Sequence, residues 1–341
     1  MKKTRAFWFL LLLVVAGCHG RDGKVAEKEL QLRPVCTLEE NLTLLGMPYS
    51  MDMAPDGSFV VTDLTNIVGY DPAGHQVFAW SKKGRGPYEY AECHRVRLLG
   101  DTVYAWDASS TKLIAYDRDG NGLWAWDYDS AICDFLPSDA SVFFYAAGRR
   151  GDRILDELDL KTMSVVRSYG SSSLAHKTLQ SMSAVTPMTV HDGVLYYMPK
   201  DRMDLYRAEP DGAGETALVE RFPSDSFHCK ELEEDLFAVN PMAGIEFALQ
   251  NSCVVALAVD GASYQILTAE GAASIGDRQG GTIKLANDNR IVRLYRIDRN
   301  SRTVSSTATF LNLNLIAETC GDFYALEVDA GQGTYRLVTL E

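Results

Sequence analysis

The chain has 341 residues, 46% of them hydrophobic, and carries a formal net charge of −13. That length allows two or three ordinary domains or one large all-β unit, and the apolar fraction is that of a globular protein that needs no disulfides to hold its core. The acidic balance argues against nucleic acid and anionic membrane surfaces as partners, because both require a positive face.

The first segment has the three parts of a secretory signal. Lys2, Lys3 and Arg5 form a positive start, and an unbroken apolar run follows from Phe7 to Ala16. A run of that length is too short to cross a hydrocarbon core of about 30 Å as a helix. It ends in Val15-Ala16-Gly17-Cys18, which resembles the lipobox of bacterial lipoproteins. The small residues suit a peptidase groove, and the Cys18 thiol is the nucleophile that accepts a diacylglycerol. The alternative is an ordinary signal peptide with an incidental cysteine. The expected division is a signal peptide over 1–17, a lipidated tether over 18–30 and a β-propeller domain over 31–341. Several acyl chains, at about 0.8 kcal/mol per buried methylene, hold a protein on a membrane without a spanning helix. The residue after the lipidated cysteine is His19. The resemblance implies that the absence of an aspartate there favours the outer membrane, with the periplasmic or external face left open.

Removing the signal leaves 30 basic against 46 acidic side chains, a net of −16. Six cysteines then remain, Cys36, Cys93, Cys133, Cys229, Cys253 and Cys320, none spaced as Cys-x-x-Cys. In an oxidising compartment disulfides and buried core thiols are equally open readings.

Helical periodicity is nearly absent, and the one short candidate is Lys230 to Phe237. Runs of Val, Ile, Tyr, Phe and Trp separated by tight-turn residues dominate. Phe59–Asp63, Ile67–Asp71 and Val77–Trp80 make a first unit; Val103–Asp107, Leu113–Asp117 and Leu123–Trp126 make a second. A third has Val142–Tyr145, Ile154–Asp159 and Val165-Val166, and a fourth has Val194–Tyr197, Tyr206–Glu209 and Ala217–Val219. The acids that close the third strands, Asp71, Asp117, Asp159 and Glu209, are 46, 42 and 50 residues apart. Four short strands at such a period mark propeller blades.

Further on, Cys253–Val259 reads as a second strand and Ile291–Asp298 as a third. The Gly- and Ala-rich stretch between them is either an insertion, giving six blades, or a degenerate blade, giving seven. Asp322–Val328 and Tyr335–Leu340 form a last hairpin, and residues 29–43 are expected to supply its missing outer strand and close the ring. Small residues, Ser50, Cys93, Cys133 and Ala184, precede the four clear second strands, as narrow space near an axis requires. If Cys93 and Cys133 occupy matching points on neighbouring blades, a bridge between them is one of the open pairings.

After the outer strand of the first unit comes Gly84-Arg85-Gly86-Pro87-Tyr88-Glu89-Tyr90. It resembles the Gly-x-Gly-Pro-Gly-Glu-Tyr loop of six-bladed β-propeller lipoproteins, related in fold to NHL and TolB-type propellers, with Tyr88 in place of the third glycine. The resemblance implies an all-β, six-bladed ring and no assigned activity. From the residues themselves, the loop glycines allow positive φ or close backbone approach and Pro87 stiffens the exit. Glu89 and Arg85 are placed to pair or to cap backbone groups, with an anion-binding nest lipped by Arg85 as the functional alternative.

No catalytic motif stands out, and no cofactor or metal ligand set is expected. None of His19, His75, His94, His176, His191 and His228 is paired at metal-ligand spacing. His94 reads as a hydrogen-bonded core residue. Asp117–Gly122 has acids at alternate positions like part of a calcium loop, but lacks the closing glutamate and reads as a hairpin turn. The expected function is therefore a non-enzymatic binding module on a lipid tether. Arg85, Tyr88, Glu89, Tyr90 and Trp80 are its candidate contact residues for a protein, peptide or glycan. A metal-dependent hydrolase or lyase of the NHL/lactonase type and a structural subunit of an envelope complex are the alternatives.

Overall fold

The computed structural model describes residues 28–39, 45–130, 132–146, 152–180, 185–208, 216–222, 224–271, 273–279, 282–288, 290–298, 302–308, 315–329 and 334–341. These form a six-bladed β-propeller. From the axis outward, blade 1 consists of Ser50–Met53, Phe59–Thr62, Asn66–Tyr70 and Gln76–Ser81. Blade 2 consists of Arg95–Leu99, Thr102–Asp107, Lys112–Tyr116 and Gly122–Asp127. Blade 3 has Ile132–Pro137, Ser141–Ala146, Leu155–Asp159 and Ser164–Tyr169; blade 4 has Met188–His191, Val194–Tyr197, Asp204–Ala208 and Thr216–Arg221. The regular spacing of apolar runs and turns thus predicts the second, third and fourth strands of these four blades, while the innermost strands are marked in the sequence only by small residues near their starts.

Blade 5 is built from Cys253–Val259, Ser263–Glu270, Ile291–Asp298 and Arg302–Ala308. The Gly- and Ala-rich stretch is an insertion, a hairpin of Ala273–Gln279 and Thr282–Asp288 between the second and third strands, so the count is six. Cys253–Val259 is the innermost strand of its blade, not the second as its composition suggests. It carries an unbroken buried run because its two faces pack against blades 4 and 6: Val254, Leu257 and Val259 on one side, Val255 and Ala258 on the other. Blade 6 takes Ile316–Thr319, Asp322–Asp329 and Thr334–Leu340 from the C-terminus and Leu32–Thr37 from the N-terminus, the last pairing antiparallel with Thr334–Leu340. The ring is closed by its first long strand, as the unpaired hairpin requires. Lys28 and Glu29, which the sequence assigns to the tether, pair in parallel with Ser306 and Thr307 at the outer edge of blade 5.

Each blade is buried on both faces, and the core is divided accordingly. Six apolar clusters sit at the six blade junctions. Between blades 1 and 2, Val60, Ile67, Val96, Val103, Ile114 and Tyr116 pack together; between blades 6 and 1, Leu315, Leu326 and Leu337 meet Met51, Phe59 and Val61. Full burial of each such side chain contributes about 1.5–3 kcal/mol, so no junction is dispensable.

The periodic acids have a local cause. Asp71 Oδ1 accepts the amides of Ala73 and His75 at 2.9 Å, Asp117 Oδ1 accepts that of Asn121 at 2.8 Å, and Asp159 Oδ1 accepts that of Thr162 at 2.7 Å. Each carboxylate caps the turn joining third and fourth strands, and the hydrogen bonds of the turn hold all three below the usual carboxylate range, through the backbone amides of His75 and Thr162 for Asp71 and Asp159 and first through the Asn121 side chain for Asp117. Glu209 lies outside the described residues.

Helices occur in the links between blades. α1 (Leu174–Gln180) joins blade 3 to blade 4; α2 (Leu236–Val239) and α3 (Pro241–Gln250) join blade 4 to blade 5. The expected helix at Lys230–Phe237 is displaced. Asp235 Oδ1 accepts the amides of Phe237 and Ala238, and Asn240 Oδ1 accepts that of Met242 at 3.0 Å, with Pro241 in the first helical turn. These caps set where the helices begin.

Candidate functional site

In an antiparallel blade the links from second to third strand, and from the fourth strand to the next blade, gather on one face of the disc. The inserted hairpin and the helices among the described residues belong to such links, so this link face carries these elaborations. Under it, α1 and α3 pack through Ala175, Leu179 and Phe247, with Cys229 and Cys253 against them. They cover the axis at that end.

Beneath the helices a cation is sealed in. Lys200 is fully buried, its Nζ donating to Val185 O at 2.7 Å and lying 6.0 Å from the centre of the Tyr145 ring. Burial pulls its pKa below the usual lysine value. His176 Nδ1 accepts the Lys200 amide at 3.0 Å, so the proton sits on Nε2. Burial, with Lys200 beside it, pushes His176 well below its ordinary pKa and keeps the ring neutral.

Further along the axis, Arg97 bridges blades 1 and 3. Its Nη1 meets Asp52 Oδ1 at 2.9 Å, its Nη2 meets Asp134 Oδ2 at 2.5 Å, and its Nε donates to Phe135 O at 2.9 Å. Asp52 Oδ2 accepts the Leu98 amide at 2.8 Å, and Thr186 Oγ1 donates to Asp134 Oδ2 at 3.1 Å. Burial drives the Asp52 pKa up more strongly than Arg97 draws it down, while the two carboxylates raise that of Arg97. Beside the pair lies a cavity of about 120 Å³, lined by Asp52, Arg97, Thr186, Glu318 and apolar side chains including Leu136 and Phe323. Glu318 Oε2 accepts from Thr189 Oγ1 at 2.9 Å, and Oε1 from the Gly321 amide at 3.3 Å. Burial raises its pKa to about 7, with Asp52 adding to the rise and Arg97 opposing it. This axial set went unseen in the sequence; its one signal is the acid or base at alternate positions of the inner strands, Asp52, Arg95, Arg97 and Asp134.

The candidate contact residues are mostly structural. Tyr90 is fully buried, its hydroxyl donating to Thr65 O at 2.9 Å. Trp80 is half-buried, its ring tilted against that of Tyr116 at 4.8 Å, and it donates from Nε1 to Arg118 O at 3.2 Å. Trp126 repeats that device one blade on, with Nε1 donating to Met163 O at 3.1 Å. Outer-strand tryptophans therefore tie blades 1 and 2 to a turn of the following blade, which corrects the reading of Trp80 as exposed contact area. Glu89 Oε2 accepts the Gly86 amide at 2.7 Å, and a Cβ on Gly84 would come within 2.0 Å of the same oxygen. Neither loop glycine has positive φ, so close approach of the Glu89 carboxylate is what demands them. Tyr88 also avoids positive φ, which is why a tyrosine is tolerated there. Only Arg85 and Tyr88, the latter 44% exposed, remain open to solvent along with the outer part of Glu89.

Cys93 and Cys133 are both free thiols. Cys93 Sγ donates to Arg95 O at 3.3 Å and Cys133 Sγ to Gln180 O at 3.1 Å, so the two point into different surroundings and the bridge is not formed. His94 is hydrogen-bonded to Glu92 O at 2.9 Å and lies edge-on to Tyr49. Both Asp117 carboxylate oxygens are engaged by Asn121, as a turn requires. Among the described residues no group of His, Cys, Asp or Glu is arranged to hold a metal ion. Cys18 and Ala184 lie outside the described residues.

No family model and no curated protein matches the chain. Solved structures do. A Bacteroides fragilis protein described as exported superposes with a TM-score of 0.64 at 12% identity, over 93% of this chain and 96% of its own. A member of the DUF4221 family from Bacteroides vulgatus gives 0.62 at 9% identity, over 92% and 99%. At such identities the likeness concerns the fold.

Proposed function

We propose that this chain is a lipid-anchored protein of the bacterial envelope, of the six-bladed propeller lipoprotein type, whose ring is a binding module and not a catalyst. The observation that carries this reading is the state of the axis. Its acids and bases are engaged by one another and by backbone groups, one end lies under helices, and the cavity of about 120 Å³ falls below the range of about 300–1,000 Å³ usual for ligand pockets. Contact then belongs to the link face, where the helices and the inserted hairpin add surface. The Val15-Ala16-Gly17-Cys18 motif supports the anchor, and a neighbour described as exported supports the envelope.

Two measurements test it. Bacteria fed a labelled fatty acid should label the wild-type chain and leave Cys18→Ser unlabelled and released from membranes; equal labelling of both removes the anchor. Crosslinking in intact envelopes should recover the chain joined to a recurrent partner or glycan, whereas recovery of the chain alone speaks against a binding module. A thermal shift of the purified chain with calcium or zinc would favour the metal-dependent hydrolase or lyase instead.

A further inference from the structure

Arg95 opens the innermost strand of blade 2, at the link-face end of the axis, and is engaged at one nitrogen only. Its Nε donates to Cys133 O at 3.3 Å, while Nη1 and Nη2 meet no acceptor among the described residues. We propose that these two groups take a small oxyanion, a carboxylate or a phosphate, as a bidentate fork at the axis. The proposal rests on the reading of the ring as a binding module and names the ligand chemistry of one site on it.

The first argument is a buried charge whose natural partners are already spent. Arg95 is 5% exposed and forms no ion pair among the described residues. A guanidinium stays protonated in a protein, so its burial is not relieved by loss of the proton. The carboxylate that attracts it most, Asp134, accepts the Phe135 amide on Oδ1 at 2.9 Å and both Arg97 and Thr186 on Oδ2. Asp52 is divided in the same way between Arg97 and the Leu98 amide. The undescribed residues that lead into the innermost strands of blades 4 and 6, 181–184 and 309–314, include no acid. Glu40 follows Glu39, which accepts the Gln76 amide at 3.0 Å where the outer strand of blade 1 begins. Buried charges are paired or hydrogen-bonded as a rule, and an exception calls for an absent partner. Lys200 feels the same lack: burial chiefly lowers its pKa, and the charge of Arg95 lowers it further. An anion on Arg95 would offset that repulsion as well.

The second argument is access. His176 Nε2 and Gln180 Oε1 are sealed in without partners, whereas the equally unbonded Nη1 and Nη2 of Arg95 keep some accessible surface. Tyr49, its ring centre 5.9 Å from Arg95 Cζ, is part-exposed, so solvent begins one side chain away. The ring attracts the guanidinium from one side and Cys133 O fixes Nε, which leaves the outer fork set in advance. Such forks match planar carboxylates and phosphates, and fixing one beforehand lowers the cost of using it.

Calorimetric titration of the protein with sodium formate and sodium phosphate, and with sodium chloride as a spherical control, tests the site. Saturable binding of formate or phosphate, at least tenfold tighter than that of chloride, is expected. Formate alone assigns a carboxylate ligand, phosphate alone a phosphate, and both together an oxyanion site without preference. Arg95→Met should abolish the binding. Arg95→Lys keeps the charge and loses the fork, so it should weaken binding at least tenfold, with an unchanged circular dichroism spectrum as the check on folding; it decides the matter if Arg95→Met does not fold. Absence of saturable binding at millimolar concentration, chloride held as tightly as the oxyanions, or parental affinity in Arg95→Lys overturns the proposal. A chain that still captures envelope partners on crosslinking would then lose this site and keep the wider reading.

Discussion

Glu318 sits in the axial cavity with a pKa raised to about 7 by burial. In the unfolded chain a glutamate titrates near about 4.3. Between those values the folded protein holds a proton that the unfolded chain has lost, so this residue makes stability fall as pH rises through that window. Asp52, raised for the same reason, adds the same sign. Glu318→Gln should therefore flatten the decline of melting temperature between about pH 4.5 and 7, and be more stable than the parent at pH 8. An unchanged slope would show that the carboxyl is hydrated in the folded state. The loop glycine offers a second test. Gly84→Ala forces Glu89 away from the Gly86 amide, and Glu89→Ala removes the same charge-assisted bond, each costing about 1.5–3 kcal/mol at most. Because both break one interaction, the double variant should cost little more than either alone in urea unfolding; additive losses would separate the two roles. The Gly-x-Gly-Pro pattern was visible in the sequence, but which property of glycine it used was not. Conformational freedom and close approach leave the same letter, and only the position of the Glu89 carboxylate tells them apart.

Among elements, the four-strand repeat was legible wherever a hairpin turn carried its own cap. Asp71, Asp117 and Asp159 mark strand ends chemically, so blades 1 to 3 could be laid out from composition alone. Blade 5 resisted because a hairpin is inserted within it and its innermost strand is buried on both faces, against blades 4 and 6, which gives it the unbroken apolar run of a second strand. The helices were missed or shifted because they are short, seven and ten residues for α1 and α3, too few for a period to stand out. Their caps were nevertheless written in the chain, as Ser173 before α1 and Asn240-Pro241 before α3. The N-terminal closing strand gives the element-scale prediction. Deleting residues 28–37 strips the outer strand from blade 6 and uncovers Leu337 and Leu340. Calorimetry should then show a lower, broadened transition, with early proteolysis within 316–341. A sharp transition within a few degrees of the parent would mean that the ring holds without its closure.

At the scale of the whole molecule, six junction clusters form a circuit with no free end. The cluster of Leu38, Met51 and Leu337 joins blade 6 to blade 1, and that of Val255, Leu294 and Phe323 joins blade 5 to blade 6. Opening one junction exposes two blade faces at once, so unfolding should be close to all-or-none despite the repeat, unlike an open solenoid, where ends can fray singly. The axial salt bridge adds to that coupling. Arg97→Ala would leave Asp52 and Asp134 buried without their cation, at a cost of about 3–5 kcal/mol measurable by urea unfolding. A loss below about 1 kcal/mol would show that water already shares the pair.

The two residues Lys28 and Glu29, clipped in parallel to Ser306 and Thr307, fix where the polypeptide leaves the disc. That point is on the rim of blade 5, and with Cys18 as the anchor only nine residues lie between them, ten backbone steps in all. Fully extended they reach about 35 Å. Under the proposed anchor the disc would be held by its circumference, so the attachment itself would press neither flat side against the bilayer. In a six-bladed ring the blade opposite that suspension point is blade 2, so the greatest reach from the tether belongs to the first two blades and the junctions beside them.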